Sequence, residues 1–187
     1  MSLMPATIDE KLITGNDLLK MKDTDLCELV EGRIMPMSPT GGVHGFIESK
    51  LTMYLCLFVQ PKKLGWVLNG EVGIYTKRNP DTVRGADIAF FSRQRLPSGP
   101  PKGFFEIAPE LIVEIFSPHD TWKEMHQKIA EYLAIGVSWV WVIDPAVHTL
   151  WVHKPGVEAQ ALTNKDILKG EGILTGFELN LANLFEE

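Results

Sequence analysis

The chain has 187 residues, of which 45% are apolar, and this suits one domain with a substantial core. No apolar run approaches the roughly 18–20 residues that a membrane-spanning helix needs, so we expect no membrane association. The net charge of −6 argues against tight, non-specific DNA binding by the whole surface.

The first sixty residues predict a helix, a hairpin and a second helix. Asn16 and Asp17 can cap a short helix over residues 16–21. Two short strands, at residues 27–30 and 33–36, flank Glu31-Gly32 and indicate a β-hairpin. Apolar residues then recur at helical spacing and predict a helix over residues 44–59.

The apolar pattern next changes to the two-residue period of strands. Thr121 and Glu124 interrupt the strand series with a capping box, which predicts a helix that ends near residue 135. A tail follows the last strand. The predicted strands lie at residues 66–75, 84–91, 111–116, 138–143 and 149–153, with a weaker one at 158–162.

This element order indicates a mixed α/β (α+β) fold. Between residues 44 and 144 the order is helix, three strands, helix and strand, which buries a mixed sheet between helices. We expect one domain over residues 1–187. It comprises a core at about 43–145, an N-terminal helix and hairpin at 1–42, and a C-terminal β extension at 146–187.

Three charged residues occupy positions where the surrounding pattern favours an apolar residue and where burial of a charge costs free energy. Asp87 opens an apolar strand, Glu114 interrupts another, and Lys128 shares the apolar stripe of its helix with Met125 and Tyr132. A buried charge is costly unless it is paired or binds a metal. Two carboxylates and a lysine are the usual parts of a magnesium-dependent phosphodiester-cleaving site. The alternative for the lysine is an amine that reaches solvent from the edge of the stripe.

Three further residues are second-tier candidates for the same site. His44 follows a Gly-rich loop, where it could contact phosphate or cap the helix. Glu31 could lean towards the metal, although Glu-Gly is also ordinary turn chemistry. Glu71 interrupts an apolar strand and could face the same cleft. The sequence has no HExxH motif or Cys/His zinc pattern, so we do not expect zinc.

Basic residues are concentrated in one segment. Residues 61–102 carry eight basic and three acidic side chains, a net +5, which leaves −11 for the rest of the −6 chain. This is either a solvated loop face or a basic rim beside an acidic metal site. The tryptophans could stack on bases. The alternation of Trp139 and Trp141 within a strand favours core packing or a subunit contact instead.

Two features favour the cytoplasm. Cys27 and Cys56 do not form a CxxC pair, so we expect reduced thiols. Residues 1–10 lack the basic-then-apolar pattern of a secretory signal.

Over nearly its whole length the sequence resembles the Uma-two family, a restriction-endonuclease-like branch of the PD-(D/E)xK superfamily. The order and spacing of the matching stretches make the resemblance specific. These stretches are ELVEGRI at 28–34, MSPTG at 37–41 with His44, RGADIAF at 84–90, PELIVEIFSP at 109–118, Lys128 with Tyr132, and residues 136–145.

The resemblance implies roles for the three charged residues. Asp87 matches the aspartate of the PD element and Glu114 the acidic residue of the second element. Ala86 replaces the proline before the aspartate, a mild departure because proline contributes backbone shape. Phe116 stands in place of the superfamily lysine, and Lys128 matches a lysine relocated to the following helix.

The leading hypothesis is therefore a metal-dependent nuclease that acts on DNA. Asp87, Glu114 and the Ile115 carbonyl would hold Mg²⁺, with Mn²⁺ as a possible substitute. A tryptophan cluster that includes Trp151, together with the superfamily habit of pairing, makes a homodimer plausible. One alternative is a non-catalytic nucleic-acid-binding or assembly protein that retains the fold, and another is hydrolysis of a smaller phosphodiester.

Overall fold

The computed structural model describes residues 12–22 and 26–186. Residues 1–11, 23–25 and 187 of the predicted domain lie outside the described residues. They include residues 1–10, for which we expected no secretory signal. The helices are α1 (Gly15–Lys20), α2 (Gly42–Val59), α3 (Trp122–Ala134) and α4 (Leu181–Phe185). The strands are β1 (Cys27–Val30), β2 (Arg33–Pro36), β3 (Gly65–Lys77), β4 (Thr82–Ser92), β5 (Leu111–Ile115), β6 (Trp139–Asp144), β7 (Thr149–Lys154), β8 (Val157–Thr163), β9 (Ile167–Lys169) and β10 (Glu178–Asn180).

The order from α2 to β6 is helix, three strands, helix and strand, which confirms the predicted core. One large sheet has the order β2-β1-β4-β5-β6-β7-β8, and β3 pairs with β4 beside this path. The β5–β6 pair is parallel and the others are antiparallel, so the sheet is mixed. The N-terminal hairpin β1–β2 has its predicted bounds.

Helices α2 and α3 cover opposite faces of this sheet. On one face Leu51 and Leu55 of α2 pack with Val113 of β5. On the other face Ile129 of α3 packs with Ile112 of β5, the next position along the strand. Successive strand residues point to opposite faces, so this alternation explains why β5 is apolar throughout except at Glu114.

Thr121 caps α3 as predicted, but the reciprocal half of the capping box is absent, because the Glu124 carboxylate accepts the Thr121 hydroxyl and not a backbone N–H. The Thr121 hydroxyl accepts the Glu124 backbone N–H at 3.3 Å and contacts the Glu124 carboxylate at 2.7 Å. The helix therefore starts at Trp122, and its phase is fixed. With this phase Met125 and Tyr132 are buried against the sheet, as predicted, and Lys128 lies between them.

Strand β4 is paired differently along its two edges. One edge pairs with β3 along most of its length. On the other edge Val83 pairs with Leu29 of β1, and Ile88 to Phe90 pair with β5. The β4 residues from Arg84 to Asp87 therefore lie between two ladders, at a gap that side chains from β1 and β5 can enter. This gap positions the candidate site.

The C-terminal segment is more structured than the predicted tail. Strands β7 and β8 extend the large sheet, as expected of a β extension, whereas β9 and β10 form a separate two-stranded sheet that α4 follows. Trp141 is buried, and Trp151 makes an edge contact with Trp122 at 4.9 Å between ring centroids. Among the described helices, none has the length and apolar character to cross a membrane.

Candidate active site

Asp87 lies at the gap in β4, where two donors hold its carboxylate. Its Oδ2 accepts the backbone N–H of Ile115 at 2.6 Å and lies 3.2 Å from Nε2 of His44 in the first turn of α2. The residue is only 5% exposed. Because Ile88 pairs with Val113, the next position places Asp87 opposite Glu114, as cross-strand neighbours.

Glu114 lies between α3 and the gap and contacts two side chains of that helix. The Tyr132 hydroxyl donates to Glu114 Oε1 at 2.6 Å, and Lys128 Nζ lies 3.2 Å from Glu114 Oε2. The structure therefore brings Asp87, Glu114 and Lys128 close together. Lys128 does not extend to bulk solvent, since its side chain is only 17% exposed.

Glu28 of β1 is a fourth member of this group that the sequence reasoning missed. Its Oε1 lies 3.0 Å from Lys128 Nζ, and its Oε2 accepts from Arg84 Nη1 at 2.8 Å. Arg84 also makes two bonds of 2.7 Å to Glu131 of α3. A carboxylate inside a short apolar strand is the same signal that singled out Glu114, and it could have identified Glu28.

Glu71 reaches the group because β3 bulges opposite Asp87. Asn69 pairs with Ile88 and Val72 with Ala86, so Gly70 and Glu71 together oppose one residue of β4. Glu71 has φ 57°, a conformation that non-glycine residues rarely adopt, and such strain is often found at functional sites. A Cβ built at Gly85 would lie 2.6 Å from Glu71 Oε2, so the Glu71 carboxylate occupies the space that this glycine leaves.

Glu48 of α2 supports both the bulge and His44. Its Oε1 accepts the backbone N–H of Gly70 at 3.0 Å and the Asn69 amide at 3.2 Å. Its Oε2 lies 3.9 Å from His44 Nδ1, beyond hydrogen-bond distance, and this buried nitrogen has no hydrogen-bond partner among the described residues. The predicted site residue His44 therefore contacts Asp87 directly, while Glu48 stabilises the backbone that presents Glu71.

Glu31 lies apart from this group. It is half exposed, and its carboxylate pairs with Lys77 Nζ at 2.7 Å. This ion pair lowers the Glu31 pKa below its ordinary value. The hairpin that was expected to bring Glu31 towards the site contributes Glu28 instead.

Half of the basic side chains in the segment at residues 61–102 form ion pairs. Lys77, Arg78, Arg84 and Arg95 pair with carboxylates, and Arg93 lies over the Trp66 ring. Within the part of the chain that the structure describes, four of the eight basic side chains are thus ion-paired, which weakens the interpretation of the segment as a basic rim.

Burial disfavours the ionised forms of Glu71 and Glu114. Burial, with repulsion from Asp87, raises the pKa of Glu71 to about 7. Burial also raises the pKa of Glu114; Lys128 opposes this shift and Asp87 adds to it. For Lys128, burial alone would lower the pKa, but the Glu114 and Glu28 carboxylates raise it above its ordinary value. The Lys128 ammonium therefore stays charged. Because the carboxylates of the site outnumber this one ammonium, the site attracts cations.

The chemistry of this donor set fits Mg²⁺. Within residues 12–22 and 26–186, no group of three His, Cys, Asp or Glu side chains is arranged to hold a metal ion. Mg²⁺ nevertheless needs only one or two carboxylates, since it keeps several waters. Asp87 and Glu114 could supply these. The N–H and C=O of a strand residue point to the same edge, so the Ile115 carbonyl is expected on the side of Asp87.

Comparisons with known proteins agree with this fold. The sequence model of the Uma2 family, described as "Putative restriction endonuclease", matches residues 16–182. Among solved structures, the chain is similar to a "putative nuclease belonging to DUF820" from Anabaena variabilis ATCC 29413. The TM-score is 0.80 and the identity 25%, over 92% of this chain and 97% of that chain. Among curated proteins, no match was found. The predicted restriction-endonuclease-like fold is confirmed.

Proposed function

Since this chain belongs to the Uma2 family, we propose that it is a Mg²⁺-dependent nuclease that hydrolyses phosphodiester bonds of DNA. The observation that carries the proposal is the meeting of three charged side chains from separate elements. Extending the β4–β5 register by one residue places Asp87 opposite Glu114, and Lys128 Nζ lies 3.2 Å from Glu114 Oε2. Packing alone does not explain a buried pair of acids beside a lysine, because burial of each charge costs free energy.

Asp87, Glu114 and the Ile115 carbonyl would hold the cation. Bound Mg²⁺ supplies Lewis acidity to the phosphate and lowers the pKa of a bound water. His44 and the Ile115 N–H orient Asp87 by donating to the same oxygen. When it is deprotonated, Glu71 would add negative charge from the bulge and so increase the attraction for a divalent cation.

Lys128 would act on the reacting phosphate. Its ammonium can orient the attacking water by a hydrogen bond or donate to a phosphate oxygen as negative charge develops there. Phe116 occupies the strand position of the superfamily lysine, and its ring packs against Trp122 at 4.7 Å between centroids. The only lysine ammonium that the described residues bring to Glu114 therefore comes from α3.

One observation favours the alternative of a non-catalytic protein that retains the fold. The Lys128 ammonium is already engaged by Glu28 and Glu114. Such a network can stabilise the fold without any cation. This alternative therefore predicts normal folding and no carboxylate-dependent binding of Mg²⁺.

Cleavage assays and calorimetry together separate the two functions. Purified protein is incubated with plasmid DNA, with linear DNA and with RNA, with Mg²⁺, with Mn²⁺ or with a chelator. We expect Mg²⁺-dependent cleavage of DNA that Asp87→Asn and Lys128→Ala both abolish. Retention of wild-type cleavage by both variants would refute the assignment. Titration with Mg²⁺ should give a heat of binding that Glu114→Gln removes, whereas no such heat supports the non-catalytic alternative.

The matched control is Glu106→Gln. Glu106 is an exposed carboxylate that pairs with Arg78 at 2.6 Å. The variant makes the same chemical change at a surface ion pair and should cleave and bind Mg²⁺ like the wild type. A homodimer in the cytoplasm remains our expectation, and sedimentation of the purified chain tests the dimer.

A further inference from the structure

The ammonium group of Lys128 is surrounded by three acceptors. Glu28 Oε1 lies 3.0 Å from Nζ, Glu114 Oε2 lies at 3.2 Å and the Gly85 carbonyl oxygen at 3.4 Å. An ammonium has three N–H donors, so each of them has one acceptor. The lysine comes from α3, whereas all three acceptors come from the sheet, and these contacts therefore set where the amine lies above the gap in β4.

Glu28 is the acceptor that is held most firmly. Its Oε1 also accepts the backbone N–H of Gly85 at 3.1 Å, and its Oε2 accepts from Arg84 at 2.8 Å. Arg84 in turn makes a two-point bond to Glu131, one helical turn after Lys128 on α3. Glu28 is thus fixed to the β4 backbone directly and to the lysine's own helix through Arg84.

We propose that Glu28 is a positioning residue that holds the Lys128 ammonium beside the phosphate to be cleaved. This inference rests on the proposed nuclease function and adds a residue to it. Lysine has a long, flexible side chain, and a helix reaching across to a strand gives its amine many alternative positions. A fixed carboxylate removes that freedom before substrate binds.

Glu114 does not replace Glu28 in this role. Glu114 is a proposed ligand of the cation, so the metal and the lysine share its carboxylate. The Glu28 carboxylate is instead occupied by protein donors. Its Oε1 already accepts two hydrogen bonds, and its Oε2 accepts a charge-assisted bond from Arg84. A carboxylate oxygen has about two lone-pair sites, which leaves Glu28 poorly suited to bind metal. It holds the amine whether or not the cation is bound.

The first test needs no catalytic activity. The metal-free protein is treated with a low concentration of acetic anhydride, and mass spectrometry gives the acetylation rate of each lysine. In Glu28→Gln the Lys128 amine loses the closer of its two carboxylate partners and keeps Glu114. We expect it to react at least about 5-fold faster than in the wild type, since an amine with fewer fixed acceptors is more mobile and more accessible to the reagent. Lysines outside the site report on folding and should react at unchanged rates. Glu106→Gln is the matched control.

Glu28→Asp provides a second variant if the glutamine variant folds poorly. It keeps the charge that Arg84 requires but shortens the side chain, so Lys128 should react at an intermediate rate. Unchanged Lys128 reactivity in the folded variants would overturn the proposal.

The second test measures cleavage and metal binding separately. For Glu28→Gln we expect kcat to fall by about 10–100-fold, as is typical when a supporting residue is removed. The KM for DNA and the Mg²⁺ affinity should stay within about 2-fold, because Glu28 contacts neither in this assignment. Loss of Mg²⁺ binding would overturn the proposal by making Glu28 a ligand. A wild-type protein that cleaves no DNA would refute the nuclease function, while acetylation would still decide whether Glu28 positions the lysine.

Discussion

His44 Nε2 lies 3.2 Å from Asp87 Oδ2, although the two residues belong to different layers of the fold. The same oxygen accepts the Ile115 N–H at 2.6 Å. The carboxylate of Asp87 is therefore oriented from both α2 and β5, and its position is set before any ligand binds. A site whose acid is held in this way is preorganised, which is what efficient catalysis requires.

Replacement of Asp87 by asparagine should abolish cleavage without unfolding the protein. Asparagine keeps an oxygen that can accept the Ile115 N–H but removes the negative charge that attracts the cation. We expect kcat/KM for Mg²⁺-dependent DNA cleavage to fall by about 100-fold or more. Steady-state cleavage assays measure this change, and circular dichroism checks the fold. Wild-type activity in a correctly folded Asp87→Asn protein would contradict the role.

A methyl group at Gly85 should disturb the site rather than the fold. The new Cβ would lie 2.6 Å from Glu71 Oε2, and the flexible end of the glutamate can move away. We expect Gly85→Ala to weaken Mg²⁺ binding by about 10-fold while the free energy of unfolding changes by less than about 1 kcal/mol. Calorimetry and urea denaturation measure the two quantities.

Gly45→Ala is the matched glycine control for this prediction. A Cβ at Gly45 of α2 would meet no atom within 4 Å. It should stabilise the helix by about 0.5–1 kcal/mol and leave Mg²⁺ affinity unchanged. Equal effects of the two variants on Mg²⁺ binding would argue against a part for Glu71 in the site.

Glu71 should make the stability of the metal-free protein depend on pH. Its pKa rises from an ordinary 4.5 to about 7 in the folded state. The folded state therefore binds this proton more tightly than the unfolded state. The resulting stabilisation is fully present below pH 4.5 and is lost as the pH rises through about 7.

Glu71→Gln isolates this contribution because glutamine does not titrate. The free energy of unfolding of the wild type, minus that of the variant, should fall by on the order of 1–3 kcal/mol between pH 4.5 and 7 and then level off. Urea denaturation at several pH values, with chelator present, provides the measurement. A difference that stays flat or rises across this range would show that Glu71 is not a buried acid.

The Tyr132 hydroxyl should contribute to stability through Glu114. It donates at 2.6 Å to a buried carboxylate, and hydrogen bonds to charged groups are among the stronger ones. Tyr132→Phe is expected to lower the free energy of unfolding by about 1.5–3 kcal/mol in urea denaturation. Tyr54→Phe serves as the comparison, since Tyr54 is a partly buried tyrosine that packs on the opposite face of the sheet. A similar loss in both variants would mean that the bond to Glu114 contributes little.

Periodicity was sufficient to predict most of the core of this fold. The hairpin strands, α2, α3 and β4 all lie within one or two residues of their predicted bounds, because each combines a clear apolar pattern with a cap or a turn. The C-terminal segment was harder. Strands β9 and β10 have three residues each, which is too short for an alternating pattern to stand out from a loop.

The site was only partly predictable because its members come from separate elements. Asp87, Glu114 and Lys128 each interrupt an apolar pattern, and that local signal was enough to group them. The place of Glu71 depends on a bulge in β3, which apolar spacing does not show. Glu28 lies at the site in place of the predicted Glu31 because of the way β1 pairs with β4. Leu29 pairs with Val83 of β4, and this register brings the preceding residue, Glu28, to Gly85.

The gap in β4 affects how relatives of this protein can be interpreted. At its border the Glu28 carboxylate accepts the Gly85 N–H and the Asp87 carboxylate accepts the Ile115 N–H. Acidic side chains thus replace main-chain carbonyls as hydrogen-bond acceptors in the sheet. A relative without enzymatic activity would still be selected to keep an oxygen acceptor, acid or amide, at both positions, since its loss would leave buried main-chain donors unsatisfied. An oxygen acceptor at these two positions of a relative is thus weak evidence of turnover.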